Sequence, residues 1–302
     1  MTATDQQTYE VIPAMKPGGA EWLRVMSASK VSAILGLSPF DSRYSMFMRM
    51  AGLIPPEGES DVMSRGHYVE PAIAAWFADQ HPELQVVNTQ QSYRSLERPW
   101  MVATPDRILF DPETGEVVTA LECKSDGARD WEWGPSGSDI IPTGYRVQVM
   151  WTMDVLGLTE MRVAALLPYL TFREYTIPYD PEDALLLRSR AAAFMDELEQ
   201  GHAPSPDDGS DATYEAVRQY RTGITDTTYD VDDDTAVEYI DSAVELDRAK
   251  TRHNTVKTVL LDAMGTARAA VHNKRNIATR QTRGNGNPFL VIGRGLIEKE
   301  TK

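Results

Sequence analysis

The sequence predicts an α/β protein in which a central mixed β-sheet is flanked by helices. The first reason is the order of the predicted elements: helices, three strands, a helix, two strands and a helix. The second is that apolar side chains recur with a helical period in some segments and alternate in others. The third is size, because 302 residues with 42% apolar side chains suffice for one large domain, with or without an appendage.

The N-terminal third is predicted to be helical after a loose arm of about 20 residues. "SASKVSAILGLSPF" has a Ser cap and a closing Gly36, and "YSMFMRMAGL" ends at Gly52. Residues 55–62 are predicted to be a loop. "GHYVEPAIAAWFADQHP" is predicted to be a third helix with Pro71 in its first turn, where proline is tolerated.

The predicted sheet is built from the next segments. "LQVVNTQQSYRS", "WMVATPDRILF" and "EVVTALECK" are each predicted to be one strand, with "DPETG" as the turn between the second and third. "YRVQVMWTMDVLG" is predicted to be a helix closed by Gly157. "EMRVAALLPY" and "TFREYTIPY" are predicted to pair as a hairpin, before a long amphipathic helix from Pro181 to Gly201.

Composition divides the remainder of the chain. Residues 202–212, "HAPSPDDGSDA", are predicted to be a linker, which gives an arm at 1–20, a domain at 21–201 and a C-terminal region at 213–302. This region is predicted to hold one long helix or a helical hairpin, followed by a small hairpin of strands. The appendage carries a basic run, "KRNIATRQTRGNGN", whose role the sequence leaves open between DNA, a partner protein, another subunit and solvent.

Composition also excludes several classes of protein. A single Cys excludes an internal disulfide framework, a four-Cys metal site and an iron–sulfur cluster. We find no membrane-length apolar run and no signal-peptide pattern, so we expect an intracellular protein without membrane partners. The net charge of −15 argues against a surface coated with DNA-binding charge, although a basic channel inside an acidic shell stays possible.

The candidate site is the pattern Pro105-Asp106, then Glu122-Cys123-Lys124. Because side chains alternate along a strand, Leu121 and Cys123 should face one way, and Glu122 and Lys124 the other. Carboxylates on neighbouring strands can share Mg²⁺, and a lysine beside them can position water or contact a phosphate. The pattern therefore predicts metal-assisted phosphodiester hydrolysis.

The spacing alone also occurs by chance. Glu300-Thr301-Lys302 and Pro206-Asp207 match halves of the pattern outside any predicted strand. An exposed ion pair between Glu122 and Lys124, contributing a few tenths of a kcal/mol, is the alternative for the triplet taken by itself.

An ordered set of motifs supports the functional interpretation. "SASKVSAILGLSPF", "RGHYVEPAIAAWF", "VATPDRI", "LECK", "IPTGYRVQVMWTMDVLG" and "GHAPSPDDG" occur in this order over about residues 20–209. Together they resemble the YqaJ-type viral recombinase family of lambda exonuclease-like enzymes, in the Pro-Asp…(Asp/Glu)-x-Lys nuclease superfamily. The resemblance implies a restriction-endonuclease-like core. It also implies Mg²⁺-dependent digestion of duplex DNA from 5′ ends, leaving 3′ single strands for an annealing partner.

The resemblance also assigns roles to residues. It makes Asp106, Glu122 and the Cys123 backbone carbonyl metal ligands, and Lys124 the catalytic lysine. The following residues match further positions: Glu70 as an acid that helps to hold the metal, His67 as an additional ligand, Gln148 and Tyr145 as supports of the site, and Trp22, Arg24 and Ser29 as the 5′-phosphate pocket.

The family pattern also implies partners and assembly. We expect double-stranded DNA ends as substrate, Mg²⁺ that Mn²⁺ can replace, and a homo-oligomeric ring of three or four chains in the cytoplasm of a bacterium, encoded by a phage or prophage. The positive lining of such a ring would come from Lys30, Arg43, Arg49, Arg65, Arg107, Arg129 and Arg146. Two alternatives stay open: an endonuclease of the same superfamily, and a non-catalytic DNA-binding or assembly protein on this fold.

Overall fold

The structure is a computed structural model that describes residues 8–56, 58, 60–127, 130–293 and 296. The chain divides into two compact units, Met1–Thr222 and Gly223–Lys302. Arg129 and the Glu300–Lys302 triplet, both named above, lie outside the described residues. No described helix is both long and apolar enough to cross a membrane.

The first unit is built around a mixed five-stranded sheet, so the predicted fold class is confirmed. Its strands, in spatial order, are β3 (Gln85–Val87), β6 (Arg107–Phe110), β7 (Val117–Ser125), β8 (Glu160–Leu167) and β9 (Thr171–Pro178). β7 and β8 run parallel, whereas the other neighbouring pairs are antiparallel. β8 and β9 form the predicted hairpin.

A second sheet lies in the same unit. Its strands, in spatial order, are β1 (Tyr9–Pro13), β4 (Gln91–Ser95), β5 (Met101–Ala103) and β2 (Met26–Ser27). The predicted arm at 1–20 thus contains a paired strand, and the Tyr9 ring packs edge-on against Tyr93 with 5.2 Å between ring centroids.

Two predicted strands are each divided between these sheets, so the prediction of single continuous strands was wrong. The first divides into β3 and β4 around Gln90, which has a φ of +50°. The second divides into β5 and β6 around Pro105, which has no N–H to continue a ladder. The second break places Asp106 directly before β6.

The described residues of the first unit also form six α-helices: α1 (Ala28–Ile34), α2 (Arg43–Met50), α3 (Asp61–Gln80), α4 (Thr143–Leu156), α5 (Pro181–Gln200) and α6 (Asp211–Tyr220). The predicted loop ends two residues earlier than expected, because α3 begins at Asp61, and the first-turn position of Pro71 was wrong, because this proline lies inside the helix. The Ser60 side chain accepts a hydrogen bond from the Met63 N–H and caps the longer helix.

The central sheet is covered on both faces, which fixes the direction of each side chain in β7. Leu121 and Cys123 pack with Ile73 and Phe77 of α3. Ala120 belongs to the larger core that contains the buried residues of α4. The alternation predicted for β7 is therefore confirmed, and Glu122 and Lys124 lie on the opposite face from Cys123.

The boundary between the units falls after α6, later than the predicted linker. α6 packs against α2, and the Thr213 hydroxyl lies 2.6 Å from that of Ser42. Ala216 is also buried. Residues 213–222 therefore belong to the first unit.

The second unit contains one long helix, α7 (Asp233–Ala263), rather than a helical hairpin. A three-stranded antiparallel sheet follows, formed by β10 (Ala269–His272), β11 (Arg275–Gln281) and β12 (Phe289–Ile292) with β11 in the centre. The predicted strand hairpin therefore has a third strand.

Candidate active site

Asp106 is held beside β7 by the main chain. Its Oδ2 atom accepts a hydrogen bond of 2.7 Å from the Cys123 N–H. This contact joins the start of β6 to the segment between Glu122 and Lys124. The two halves of the Pro-Asp…Glu-x-Lys pattern, fifteen residues apart in the chain, thus form one site.

Lys124 is held by three neighbours on the face of the sheet opposite Cys123. Its ammonium group donates to Glu122 Oε1 at 2.6 Å and to Gln148 Oε1 at 2.9 Å. It also lies 5.0 Å from the centroid of the Tyr145 ring. Gln148 and Tyr145 are one turn apart on α4, so this helix supplies both of the predicted supporting residues.

Glu70 reaches the site through a residue that the sequence did not single out for this role. The buried Arg107 guanidinium donates to Glu70 Oε1 at 2.6 Å and to the Asp106 backbone oxygen at 2.5 Å. Arg107 therefore links α3 to the start of β6. The sequence did contain a signal for this role. Arg107 directly follows Pro-Asp and precedes apolar strand residues, so its charge needs a partner inside the protein.

The site concentrates negative charge in partly buried surroundings. Burial and then the charge of Glu122 raise the pKa of Asp106 well above its usual range, with a further contribution from Glu70. Burial by itself lowers the pKa of Lys124, but the charges of Glu122 and Asp106 outweigh it and the net shift is upward. Lys124 therefore stays protonated at neutral pH.

Cys123 contributes its main chain rather than its thiol. Burial raises the pKa of the thiol, and the charges of Asp106 and Glu122 raise it further. The side chain packs in the apolar cluster under α3. A neutral thiol that faces the core is not a nucleophile.

The donor set suits a hard divalent cation. Within the described part of the chain, no three His, Cys, Asp or Glu side chains converge as a complete metal-binding group. Mg²⁺ does not require such a group, since one or two carboxylates with carbonyl and water oxygens are its usual ligands. Asp106 and Glu122 could supply the carboxylates, and a cation between them would offset the charge of Glu122, which after burial is the second cause of the raised pKa of Asp106.

His67 and the predicted phosphate-binding residues do not form one pocket with this site. His67 and Trp22 line a cavity of about 480 Å³ to which Asp106, Glu122 and Lys124 do not contribute. Arg24 lines a different cavity of about 360 Å³, between α2 and α5. Ser29 is exposed, and its hydroxyl lies 3.4 Å from that of Ser27.

The residue next to Ser29 has a structural role that the sequence did not indicate. Lys30 is fully buried. Its ammonium group donates to the carbonyl oxygens of Trp22 and Val25 and lies 3.7 Å from the centroid of the Trp22 ring. Lys30 thus fixes the turn that carries Trp22, and it is unavailable to DNA.

Most of the predicted positive lining is neutralised within the chain. Arg43 pairs with Glu197, Arg49 with Asp41, Arg107 with Glu70, and Arg146 with Asp139. Arg65 is exposed on α3. The lining hypothesis was therefore wrong for buried Lys30, and it loses support for the four paired arginines.

The comparison with protein families agrees with the site's geometry. The model of the YqaJ-like viral recombinase domain matches residues 16–162, which include Glu70, Asp106, Glu122, Lys124 and Gln148. The match covers just under half of the chain, which is similar to this family over those residues. The match supports a phage-type nuclease. A comparison with curated proteins found no significant match.

Several solved structures resemble this chain, and two of them are exonucleases from bacteria. An alkaline exonuclease from Laribacter hongkongensis is 17% identical, with a TM-score of 0.46, over 61% of this chain and 92% of that one. A phage-related exonuclease from Haemophilus somnus 129PT is 12% identical, with a TM-score of 0.44, over 58% and 94%. At these values the likeness carries no information about activity, which rests on the YqaJ-like domain and its residues.

Proposed function

We propose that this protein is a Mg²⁺-dependent 5′-to-3′ exonuclease that resects linear double-stranded DNA and leaves 3′ single strands for recombination by annealing. The observation that carries the proposal is the hydrogen bond from the Cys123 N–H to Asp106, which sets this carboxylate beside Glu122 and Lys124. The YqaJ-like domain supports the same chemistry.

Each residue then has a defined task. Asp106, Glu122 and the Cys123 carbonyl oxygen would hold Mg²⁺ or Mn²⁺, and Glu70 would hold the ion or its waters. When bound, the metal lowers the pKa of a coordinated water and offsets charge on the phosphate. The protonated Lys124, fixed by Gln148 and Glu122, orients the attacking water or steadies the phosphate.

Arg107 is the positioning residue in this scheme. Its guanidinium holds Glu70 and the Asp106 main chain at the same time, so it sets the distance between the two acids. Gln148 has a second contact, since its amide nitrogen lies 3.5 Å from the Ser32 hydroxyl of α1. The site is therefore fixed by α1, α3 and α4 together.

The proposed context follows from the proposed reaction. The substrates are ends of double-stranded DNA, the partner is a single-strand annealing protein, and the setting is the cytoplasm of a bacterial host of the encoding phage or prophage. An endonuclease of the same superfamily is the alternative enzyme. A non-catalytic protein is disfavoured, because Asp106, Glu122 and Lys124 are all present: Asp106 accepts from the Cys123 N–H, and Lys124 donates to Glu122.

The deciding experiment compares DNA substrates with and without ends. With Mg²⁺, linear duplex carrying a 5′ phosphate should be digested to mononucleotides from the 5′ end. Covalently closed circles should resist, and a 5′ hydroxyl should slow digestion. Rapid cleavage of closed circles would favour the endonuclease. The absence of hydrolysis with either Mg²⁺ or Mn²⁺ would leave the non-catalytic alternative.

A further inference from the structure

The second unit has its charges sorted along the chain. Nine acidic residues and no Lys or Arg occur between residues 226 and 247, whereas nine Lys or Arg and a single acid, Asp262, occur between 248 and 283. In a chain with a net charge of −15, this basic segment stands apart.

The helix explains only the first part of this arrangement. Acids near the N-terminus of α7 and bases toward its C-terminus stabilise the helix dipole. This reason does not extend to the following sheet, residues 268–283, which carries five bases and no acid. These bases are Arg268, Lys274, Arg275, Arg280 and Arg283, and we call this set the basic sheet.

Two of these bases are placed side by side at a cost. The Arg280 N–H donates to the Arg268 carbonyl oxygen at 2.8 Å, and the adjoining register pairs Ala269 with Thr279, so Arg268 and Arg280 are cross-strand neighbours. Like charges opposite each other destabilise a sheet. Among the described residues, no acidic side chain forms an ion pair with Arg268, Lys274, Arg280 or Arg283.

Lys274 also occupies a position that lysine rarely takes. Asn273 and Lys274 form the two-residue turn between β10 and β11. The φ angle is +49° at Asn273 and +64° at Lys274. Glycine or asparagine is preferred at such positions, because a larger side chain is strained there. The turn therefore presents an exposed ammonium group at the tip of the hairpin at some cost in stability.

Protection of sheet edges does not explain the basic residues either. Natural sheets carry lysine on edge strands to prevent unwanted pairing. Arg275 and Arg280 lie instead on β11, the central strand. The positive charges lie at both ends of the β10–β11 hairpin, with Arg268 and Arg280 at one end and Lys274 at the other.

We propose that the basic sheet of the second unit binds the phosphodiester backbone of nucleic acid. A bound polyanion would offset the repulsion between Arg268 and Arg280, and its phosphates would be attracted to the Lys274 ammonium group. Backbone binding of this kind is sequence-independent and weakens steeply with salt. The proposal does not depend on hydrolysis and stands or falls separately from the proposed exonuclease.

The test uses the full chain in EDTA, so that binding is measured without cleavage. Anisotropy of a labelled 20-nucleotide single strand and of a matched duplex is recorded over a series of salt concentrations. The variant replaces Arg268, Lys274, Arg280 and Arg283 with Gln. The control replaces Arg248, Lys250, Arg252 and Lys257 of α7 with Gln, which removes the same charge from the same unit.

The basic-sheet variant should bind at least tenfold more weakly, and its salt dependence should be shallower by up to about 3 log units per log unit of salt for single strands. The α7 control should change affinity less than threefold. If only the affinity for the single strand falls, the basic sheet binds single strands. If the affinities for the single strand and the duplex both fall, it binds either form. Equal losses in the two variants, or no loss in the first, would overturn the proposal.

A single substitution guards against misfolding of the quadruple variant. Lys274→Gly removes one charge while relieving the left-handed backbone, so it should fold at least as well as the wild type and lower the single-strand salt slope by about 0.7. An unchanged slope in a folded Lys274→Gly protein, or wild-type binding to anionic phospholipid vesicles but not to DNA, would also contradict the inference.

Discussion

Asp106 and Lys124 have different proposed roles in one site, so their substitutions should separate metal binding from catalysis. Asp106→Ala, Glu122→Ala and Lys124→Ala should each abolish cleavage. Lys124→Ala should keep Mg²⁺ binding, because it removes no metal ligand, whereas Asp106→Ala should lose most of it. Calorimetric Mg²⁺ titration and a nuclease assay on each purified variant measure the two effects.

The chain provides matched controls for these substitutions. Asp207 follows a proline, as Asp106 does, but is exposed outside any strand, so Asp207→Ala should cleave DNA like the wild type. Glu300→Ala serves the same purpose for the second half of the pattern. Near-wild-type cleavage by Asp106→Ala or Lys124→Ala, or equal damage from Glu300→Ala, would refute the assignment.

Lys30 should make the stability of the protein depend on pH. Burial lowers its pKa to about 7, whereas an exposed lysine has a pKa near 10.4. Between these values the unfolded chain binds more protons than the folded chain, so the free energy of unfolding should rise with pH in this window and gain nothing below it.

Denaturant unfolding at pH 7 and pH 9 tests this expectation. The rise in the free energy of unfolding should be smaller in Lys30→Met than in the wild type, by on the order of 1 kcal/mol. Other groups titrate equally in both proteins, so the difference isolates Lys30. An identical rise would mean that the ammonium form is as stable inside the protein as outside.

At this scale the sequence predicted that Asp106, Glu122 and Lys124 lie together, as their hydrogen bonds show. Their proximity was predictable, because period-2 alternation and the Pro-Asp break are local properties of the chain. The roles of Arg107 and Lys30 were not, because their partners Glu70 and the Trp22 carbonyl are set by tertiary packing. The sequence alone does not distinguish a buried charged side chain from an exposed one, because burial depends on residues that are distant in the chain.

At the scale of elements, the ends of α4 and α5 offer a paired test of left-handed glycines. Gly157 and Gly201 cap these helices with φ of +68° and +71°. A Cβ at position 157 would lie 3.1 Å from the Thr8 hydroxyl oxygen, whereas position 201 has open space. Gly201→Ala should therefore cost about 1 kcal/mol for backbone strain alone, and Gly157→Ala should cost more. Urea unfolding measures the free energy of unfolding of both variants. Equal losses of stability would show that Thr8 moves aside at no measurable cost.

Helix and strand types were predictable where one rule governed the segment, as for α4, α5 and the β8–β9 hairpin. The errors occurred where two signals competed. Pro71 suggested a helix start, but α3 is capped by Ser60 and begins ten residues before this proline. Residues 84–95 alternate like one strand, yet the positive φ at Gln90 sends their halves to different sheets.

At the scale of the whole molecule, charge is the property that most needs explanation. A net charge of −15 repels DNA, and four of the arginines predicted to offset it are paired with acids inside the chain. A single chain of this composition would hold a polyanion poorly under physiological salt. The proposed exonuclease would hold DNA through many cycles more readily if several chains surrounded the substrate.

We accordingly expect a homo-oligomer of three or four chains, as the family pattern implies. Light scattering coupled to size exclusion should give three or four times the 33.7 kDa of one chain, at both low and moderate salt. Enclosure also predicts processivity: once digestion has started, excess unlabelled duplex should not stop it on a labelled strand. A strictly monomeric mass at the concentration used for activity, with processive digestion retained, would contradict this assembly, because a chain that cannot encircle DNA would then be holding it by surface contacts alone.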